Sequence, residues 1–129
     1  MSHPFEEPVR RLYEAFAAGD VDAITAVFDP QVVWHNPGHN PTTGEHRGVE
    51  AVLAFFGVVA QVSEGTFTAD LDDVLANDRH AFSLHTGRAH SRGKTLEERN
   101  VLVFHIADGR ISEVWEQHEN TAMADAFWN

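Results

Sequence analysis

The chain of 129 residues has no cysteine, a single tyrosine, and nine lysines and arginines against 20 aspartates and glutamates. Without cysteine there are no disulfides, no thiolate metal sites and no cysteine nucleophile. This composition suits a reducing cytoplasm, which is the location we expect. The formal charge of −11 repels phosphate backbones and anionic lipids. We therefore expect no nucleic-acid partner and no membrane partner.

Other signals are missing as well. No apolar stretch approaches the length of a membrane-spanning helix. The N-terminus lacks a basic segment followed by an apolar run, so we expect no signal peptide. Gly44 to Gly48 lacks the strand-then-helix context and the spacing of a phosphate-binding loop. The sequence therefore implies no cofactor.

The first half of the chain has the apolar spacing of helices. Residues at i, i+3, i+4 and i+7 form one apolar stripe, namely Val9, Leu12, Tyr13 and Phe16. Helices are predicted over about residues 6–18, over residues 21–28 and from residue 49 onward, with a strand over residues 31–36 and a loop over residues 37–48. Gly19 is a stop signal for the first helix, and Asp20 is a cap for the second.

The second half has the signals of strands separated by tight polar turns. Strands are predicted over residues 66–76, 80–90, 95–107 and 110–121. Such long strands twist and curl in a small protein, which leaves a concave face for the helices to cover. We therefore predict one α+β domain over residues 1–129, in which three N-terminal helices close a curved, mostly antiparallel sheet into a pocket.

Several segments resemble the SnoaL-like branch of the nuclear transport factor 2-like (ketosteroid isomerase-like) superfamily. They are Arg11–Ile24, Val33–Pro37, Gly44 to Gly48 before a helix, and Asp108–Glu116. The resemblance spans nearly the whole chain and implies a cone-shaped barrel, often dimeric through its outer sheet face, so we expect a homodimer. The superfamily includes isomerases, polyketide cyclases, dehydratases, epoxide hydrolases and non-catalytic binding modules. Function therefore has to be inferred from the site.

The acids of the family's known reactions fall on amides in this sequence. By resemblance, the base of ketosteroid isomerase falls on Asn36 and its protonated acid on Asn100, while its tyrosine falls on Leu12, next to Tyr13. An amide takes no proton at neutral pH, so that isomerase mechanism is excluded. The acid of the cyclases, near the end of the last strand, falls on Asn120, another amide.

Strand parity carried over from the family directs a set of side chains into the pocket. Small residues share a face with His85, a pattern typical either of a pocket lining or of close helix packing. His39 lies on a proline-stiffened loop, which forms either the pocket rim or a rigid connector. The substrate-binding residues that we predict are Trp34, Asn36, Asn100, Asn120, Tyr13, Phe16, His39 and Phe104.

Glu116 and His118 are two residues apart on the last strand, so their side chains face the same way, about 7 Å apart. A glutamate beside a histidine raises the basicity of the imidazole. We predict that His118 is the proton carrier, supported by Glu116 and assisted by His85, while Asn36 and Asn100 hold a carbonyl or hydroxyl group. The alternative is that Glu116 and His118 are polar residues at a solvent-exposed strand end.

Nine histidines raise the question of a metal or haem site. His35 and His39 have the i, i+4 spacing, but Pro37 rules out the helix that makes this spacing useful. A site formed by His39, His85 and His118 has no supporting ligand spacing. We therefore expect no metal.

Together these residues predict a small-molecule enzyme that acts on a largely apolar organic substrate by general acid–base proton transfer. Isomerase, cyclase, dehydratase (lyase) and epoxide hydrolase chemistry all remain open. The alternative is a non-catalytic small-molecule-binding or assembly module of the same fold, which the amides in place of acids favour. Phe127 and Trp128 either plug the pocket mouth or pack on a partner subunit.

Overall fold

The computed structural model describes residues 3–129, and that part of the chain forms four helices and six strands. The helices are α1 (Glu6–Ala18), α2 (Val21–Val27), α3 (Val49–Val62) and α4 (Thr121–Trp128). The strands are β1 (Phe28–Asn36), β2 (Gly44–Arg47), β3 (Thr68–Ala76), β4 (Ala81–Ser91), β5 (Lys94–Ala107) and β6 (Arg110–His118). Across residues 3–129, no helix is long and apolar enough to cross a membrane.

The six strands form one curved sheet in the order β2-β1-β6-β5-β4-β3. β1 pairs with β6 in parallel, and the other neighbours pair antiparallel. The sheet is open at its β2 and β3 edges, and the helices pack against its concave face. The predicted cone-like α+β fold with a mostly antiparallel sheet is confirmed.

The boundary between α1 and α2 follows the predicted signals. The apolar stripe of α1 is buried at Val9 and Leu12. Gly19 ends the helix at a φ of 64°, a left-handed conformation that glycine adopts without steric cost. The side chain of Asp20 accepts a hydrogen bond from the Ala23 backbone N–H at 3.1 Å, which caps α2.

Two-residue turns set the register of the central strands. Arg92 and Gly93 join β4 to β5 with φ values of 54° and 74°, and Asp108 and Gly109 join β5 to β6 with values of 53° and 76°. Turns with positive φ at both residues match the twist of antiparallel strands. The first turn therefore fixes the register of β4 on β5. Beyond the second turn, a bulge between His105 and Ile106 shifts the register of β6 on β5 by one residue, which directs Glu116 and His118 into the concave face.

The resulting register places three polar side chains in one row. His85 on β4 pairs with Asn100 on β5, and Asn100 pairs with His118 on β6. Because neighbouring strands lie about 4.8 Å apart, the row spans about 10 Å across the sheet. It forms the polar side of the concave face.

Three segments differ from the sequence prediction. Phe28, expected on the second helix, begins β1, and Gly44–Arg47, expected in a loop, pairs with β1 as β2. The last strand ends at His118, because the side chain of Asn120 accepts from the Met123 backbone N–H at 3.0 Å and starts α4. The concave face of the sheet is therefore covered by four helices, the fourth at the C-terminus, whereas three were predicted.

Candidate functional site

The helices and the concave sheet face enclose a pocket with aromatic walls. The walls include Phe16, Trp34, Phe55, Phe56, Phe67 and Trp128. The empty volume is about 650 Å³ even when the solvent at its open mouth is counted, which limits the ligand to a small molecule. Its polar side chains come mostly from β4, β5 and β6, so the site has one polar side and otherwise apolar walls.

His118 is buried and holds hydrogen-bond acceptors at both ring nitrogens. Its Nδ1 lies 3.0 Å from Glu98 Oε1, and its Nε2 lies 2.8 Å from Asn36 Oδ1. A nitrogen that faces a carboxylate or an amide oxygen carries a proton, so the ring is an imidazolium. Burial alone lowers the pKa of His118, but the hydrogen bond to Glu98 and the charge of Glu116 outweigh it, and the net pKa is raised.

The orientation of Asn36 is set by a chain of hydrogen bonds that begins on α4. Asp125 Oδ1 accepts from Asn40 Nδ2 at 2.6 Å, and Asn40 Oδ1 accepts from the Thr42 hydroxyl at 2.6 Å. Thr42 Oγ1 accepts in turn from Asn36 Nδ2 at 2.9 Å. Because a carboxylate only accepts, every group in the chain has one orientation. Asn36 therefore presents its amide oxygen to His118, so Nε2 of His118 must carry a proton.

Glu116 is a buried carboxylate held at both oxygens by neutral donors. Trp34 Nε1 donates to Oε1 at 3.0 Å, and Asn100 Nδ2 donates to Oε2 at 3.1 Å. Oε2 also lies 3.6 Å from His118 Nε2. Burial raises the pKa of Glu116, and this effect exceeds the opposing influence of the His118 charge and the Trp34 hydrogen bond. A carboxyl group with a raised pKa is a stronger general base once it ionises.

His85 has the opposite charge state to His118. Its Nδ1 lies 2.6 Å from the Tyr13 hydroxyl, which also lies 2.8 Å from Ser83 Oγ. Burial lowers the pKa of His85 to about 4, so this ring is neutral near pH 7. Burial also raises the pKa of the Tyr13 phenol, which therefore keeps its proton.

Three buried polar atoms of the pocket residues have no hydrogen-bond partner within residues 3–129. They are His85 Nε2, Glu98 Oε2 and Asn100 Oδ1. A buried polar atom without a partner costs about 1–3 kcal/mol of folding free energy. Such atoms call for a specific explanation, and in a small-molecule pocket a ligand that pairs with them supplies it.

The structure brings together most of the side chains predicted for the site. The pocket lining includes Trp34, Asn36, Asn100, Tyr13, Phe16, His85, Glu116 and His118. Glu116 and His118 do not lie at a solvent-exposed strand end, because the side chain of His118 is 4% exposed and that of Glu116 is 11% exposed. Of the two expectations for the C-terminal aromatics, Trp128 follows the first, since it lines the pocket.

Three predicted residues lie elsewhere. Asn120 is exposed and caps α4. His39 is also exposed, and its backbone N–H donates to Asp125 Oδ1 at 2.9 Å. Phe104 is fully buried in the core, where it pairs with Ala81 and Val114. With His39 outside the pocket, the three-histidine set is not assembled. In the described part of the chain, no group of three or more histidines, aspartates and glutamates has an arrangement that could hold a metal ion.

Two polar residues of the site were missed, along with apolar wall residues such as Phe55, Phe56 and Phe67. Glu98 lines the pocket and is 3% exposed, and it shares the inward parity of Asn100 on β5, which is the signal that identifies it. Thr42 also lines the pocket and orients Asn36, but it lies in the loop before β2, where strand parity carries no information.

The family of the chain follows from a match that covers most of its length. The SnoaL-like domain family matches residues 9–114. The chain belongs to the SnoaL-like domain family. The resemblance to SnoaL-like proteins is thereby confirmed. An NTF2-like protein of Burkholderia pseudomallei, 22% identical with a TM-score of 0.84 over 98% of each chain, shares the fold.

Relatives of this SnoaL-like domain match it over nearly their full lengths. An uncharacterized protein of Mycobacterium tuberculosis is 37% identical over 121 residues, which cover 93% of this chain and 92% of that protein. The structure of Bal32a, from a soil-derived mobile gene cassette, is 35% identical with a TM-score of 0.94, and the match covers 98% of this chain and 97% of Bal32a. A putative polyketide cyclase of Sinorhizobium meliloti is 22% identical with a TM-score of 0.71, over 86% of this chain and 94% of the cyclase. The last likeness shows a shared fold.

Proposed function

We propose that this SnoaL-like domain is an enzyme that moves a proton on a small, largely apolar organic molecule, with Glu116 as the general base. The observation that carries the proposal is a buried carboxylate beside a charged imidazole in an aromatic pocket. Trp34 and Asn100 fix both oxygens of Glu116, so the base is held in one orientation toward a bound molecule.

The roles proposed for Glu116 and His118 are the reverse of those expected from the sequence. His118 was expected to take the proton, but a ring whose two nitrogens both carry protons has no lone pair to accept one. Glu116 takes the proton instead, and the charge of His118 stabilises the anion formed on the bound molecule. Glu98 keeps His118 charged through its hydrogen bond at 3.0 Å.

Proton removal beside a carbonyl supports several of the reactions expected for the family. The C–H electron pair forms an enolate, and the proton moves to Glu116. Return of that proton to another atom isomerises the molecule, whereas attack of the enolate on a second carbonyl closes a ring. The fold shared with a putative polyketide cyclase is consistent with either outcome.

The test uses 5-nitrobenzisoxazole, a small apolar probe that reports a general base. Removal of its ring C–H proton breaks the N–O bond and releases a coloured cyanophenolate, so no other reactant is needed. We expect the wild-type protein to accelerate this reaction, and Glu116→Gln to lower the rate by about 100-fold or more. The control is Glu113→Gln on the outer face of β6, which should leave the rate unchanged.

Two results would count against the proposal. A Glu116→Gln variant that is folded and as fast as the wild type would remove Glu116 as the base. A wild-type protein that binds the probe without accelerating its reaction would favour the non-catalytic binding module. Far-ultraviolet circular dichroism of each variant shows whether a lost rate reflects lost folding.

We also propose that the domain works as a homodimer through the outer face of its sheet. Apolar side chains from β4, β5 and β6 lie next to one another there, as Phe82, Leu84, Val101, Val103 and Trp115. Val101 is 40% exposed, which is unusual for the middle of a long strand. The cytoplasmic location expected from the sequence stays a prediction.

A further inference from the structure

Two polar atoms on the concave face take no part in the proposed proton transfer. They are Nε2 of His85 on β4 and Oδ1 of Asn100 on β5, and their residues are directly paired across the two strands. His85 is 5% exposed and Asn100 is 3% exposed, and both line the pocket. Neither atom has a hydrogen-bond partner in the part of the chain that the structure describes.

The donor and acceptor character of both atoms follows from what their residues already bind. Asn100 donates its Nδ2 to Glu116 Oε2 at 3.1 Å, which leaves its oxygen as a free acceptor. The Tyr13 hydroxyl lies 2.6 Å from His85 Nδ1 and donates to it, because a neutral imidazole nitrogen is a stronger acceptor than the hydroxyl of Ser83. A neutral His85 therefore carries its proton on Nε2. A residue with a free donor is thus directly paired with a residue that has a free acceptor.

We propose that His85 Nε2 and Asn100 Oδ1 form a subsite for a hydroxyl group of the bound molecule. The hydroxyl oxygen accepts from His85 Nε2–H, and the hydroxyl proton is donated to Asn100 Oδ1. A hydroxyl group satisfies both atoms with one oxygen, whereas an ether or ketone oxygen pairs with His85 alone and a hydrocarbon pairs with neither. The substrate class is therefore a largely apolar alcohol, phenol or enol.

The subsite rests on the proposed function for its place in catalysis, because it orients the substrate of the same pocket. Asn100 contacts the base through its nitrogen and the hydroxyl group through its oxygen. This arrangement places the hydroxyl group on the side of Asn100 away from Glu116. Tyr13 acts through His85 and is a positioning residue, since its hydroxyl group selects the tautomer that donates into the pocket.

The selectivity of such a subsite comes mainly from the penalty on molecules that cannot pair with it. A site built to bind a hydroxyl group leaves its own buried atoms unpaired when the group is missing. Discrimination at sites of this kind reaches 10⁴-fold or more in favourable cases. Two neutral hydrogen bonds support a preference of at least about tenfold here.

The test compares three probes that share one apolar ring system: 2-naphthol, 2-methoxynaphthalene and 2-methylnaphthalene. Dissociation constants are measured by protein-observed NMR, which also reports whether the pocket residues respond. We expect the wild-type protein to bind 2-naphthol at least about tenfold more tightly than either analogue. A wild-type protein that binds all three probes equally, or that binds 2-naphthol outside the pocket, would overturn the subsite.

Variants assign the preference to its residues. His85→Phe should lose much of the preference for 2-naphthol, because only Asn100 Oδ1 still pairs with the hydroxyl group. The control His105→Phe, on the outer face of β5, should keep the full preference. Tyr13→Phe keeps the imidazole of His85 but removes the hydroxyl group that donates to it, so the preference for 2-naphthol should fall part of the way. This variant tests the subsite if His85→Phe does not fold. An unchanged preference in a folded His85→Phe or Tyr13→Phe variant would contradict the assignment.

The binding test is independent of turnover. Loss of benzisoxazole elimination in Glu116→Gln reports the base, whereas the hydroxyl preference reports His85 and Asn100. Either result can fail while the other holds.

Discussion

At the residue scale, two buried histidines in one row of the sheet differ in charge state. His118 faces Glu98 and lies near Glu116, and these carboxylates outweigh the cost of burying its charge. His85 faces a phenol, so burial dominates and the ring stays neutral. The difference arises from neighbours on adjacent strands, and it gives one histidine an electrostatic role and the other a hydrogen-bonding role.

The lowered pKa of His85 predicts a loss of stability in acid. Its pKa falls from an ordinary value of 6.5 to about 4 on folding, so the unfolded chain binds the proton more tightly. The stabilisation is present above the unfolded pKa and is lost as pH falls from about 6.5 to about 4. The shift corresponds to about 3 kcal/mol in the free energy of unfolding.

His85→Gln removes this titration and provides the comparison. Urea denaturation near neutral pH and near pH 4 should show a smaller loss of stability in the variant than in the wild type. The difference between the two proteins isolates His85, because Glu116 and the other carboxyl groups titrate in both. Equal losses would contradict the assignment.

Strand parity predicted part of the site from the sequence, and its limits are visible at single residues. Glu116 and His118 share a face because they are two apart on one strand, which is a local property. Glu98 follows the same rule, but beside Glu97 and Arg99 its sequence is typical of a solvated strand edge. Its burial depends on His118, twenty residues away.

At the scale of elements, α4 joins the pocket to the loop before β2. The cations of the β4–β5 hairpin bind its C-terminal carbonyl groups, since Arg92 donates to Phe127 O and Lys94 donates to Ala126 O. Asp125 binds the loop at His39 N and at Asn40. A helix of eight residues depends on such tertiary contacts, which is why its sequence alone did not predict it.

The close approach of the loop to α4 predicts a large effect of Gly38→Ala. A Cβ at Gly38 would lie 2.6 Å from Asp125 Oδ1, and the φ of 110° is itself unfavourable for alanine. We expect a larger loss of stability than in Gly65→Ala, where φ is 75° and nothing among the described residues lies within 4 Å of the added carbon. The Gly65 change should cost about 1–2 kcal/mol of backbone strain.

Amide hydrogen exchange locates the effect of Gly38→Ala. The amides of α4 should exchange faster in this variant, and those of α4 in Gly65→Ala should not. Equal stability and equal exchange in the two variants would show that the contact with Asp125 does not hold the helix.

At the scale of the whole molecule, the outer face of the sheet predicts a homodimer that a single charge disrupts. Val101→Glu places a carboxylate within the apolar patch, beside Leu84, and should convert the dimer to a monomer in light-scattering measurements. The control is Val21→Glu on α2, outside the apolar patch, where the side chain is 56% exposed. A monomeric wild type, or a dimeric Val101→Glu variant, would contradict the proposed interface.

The fold was predicted more fully than the site because turns and strand alternation are local signals. Asn36 and Asn100 show the limit, since their amides were interpreted as lost acids that favour a binding module. In the structure they orient the charged groups instead, as Asn36 accepts from His118 and Asn100 donates to Glu116. Those roles come from contacts between strands distant in the sequence, which residue identity alone does not specify.

Proton transfer by Glu116 requires a positively charged His118 beside it, and NMR of the histidine ring nitrogens measures that charge directly. At neutral pH, both nitrogens of His118 should show the signals of a protonated imidazolium, and they should keep them above the ordinary histidine pKa of 6.5. Glu98→Gln should lower the pH at which the ring loses its proton. A neutral His118 ring at neutral pH in the wild-type protein would contradict the proposed division of roles.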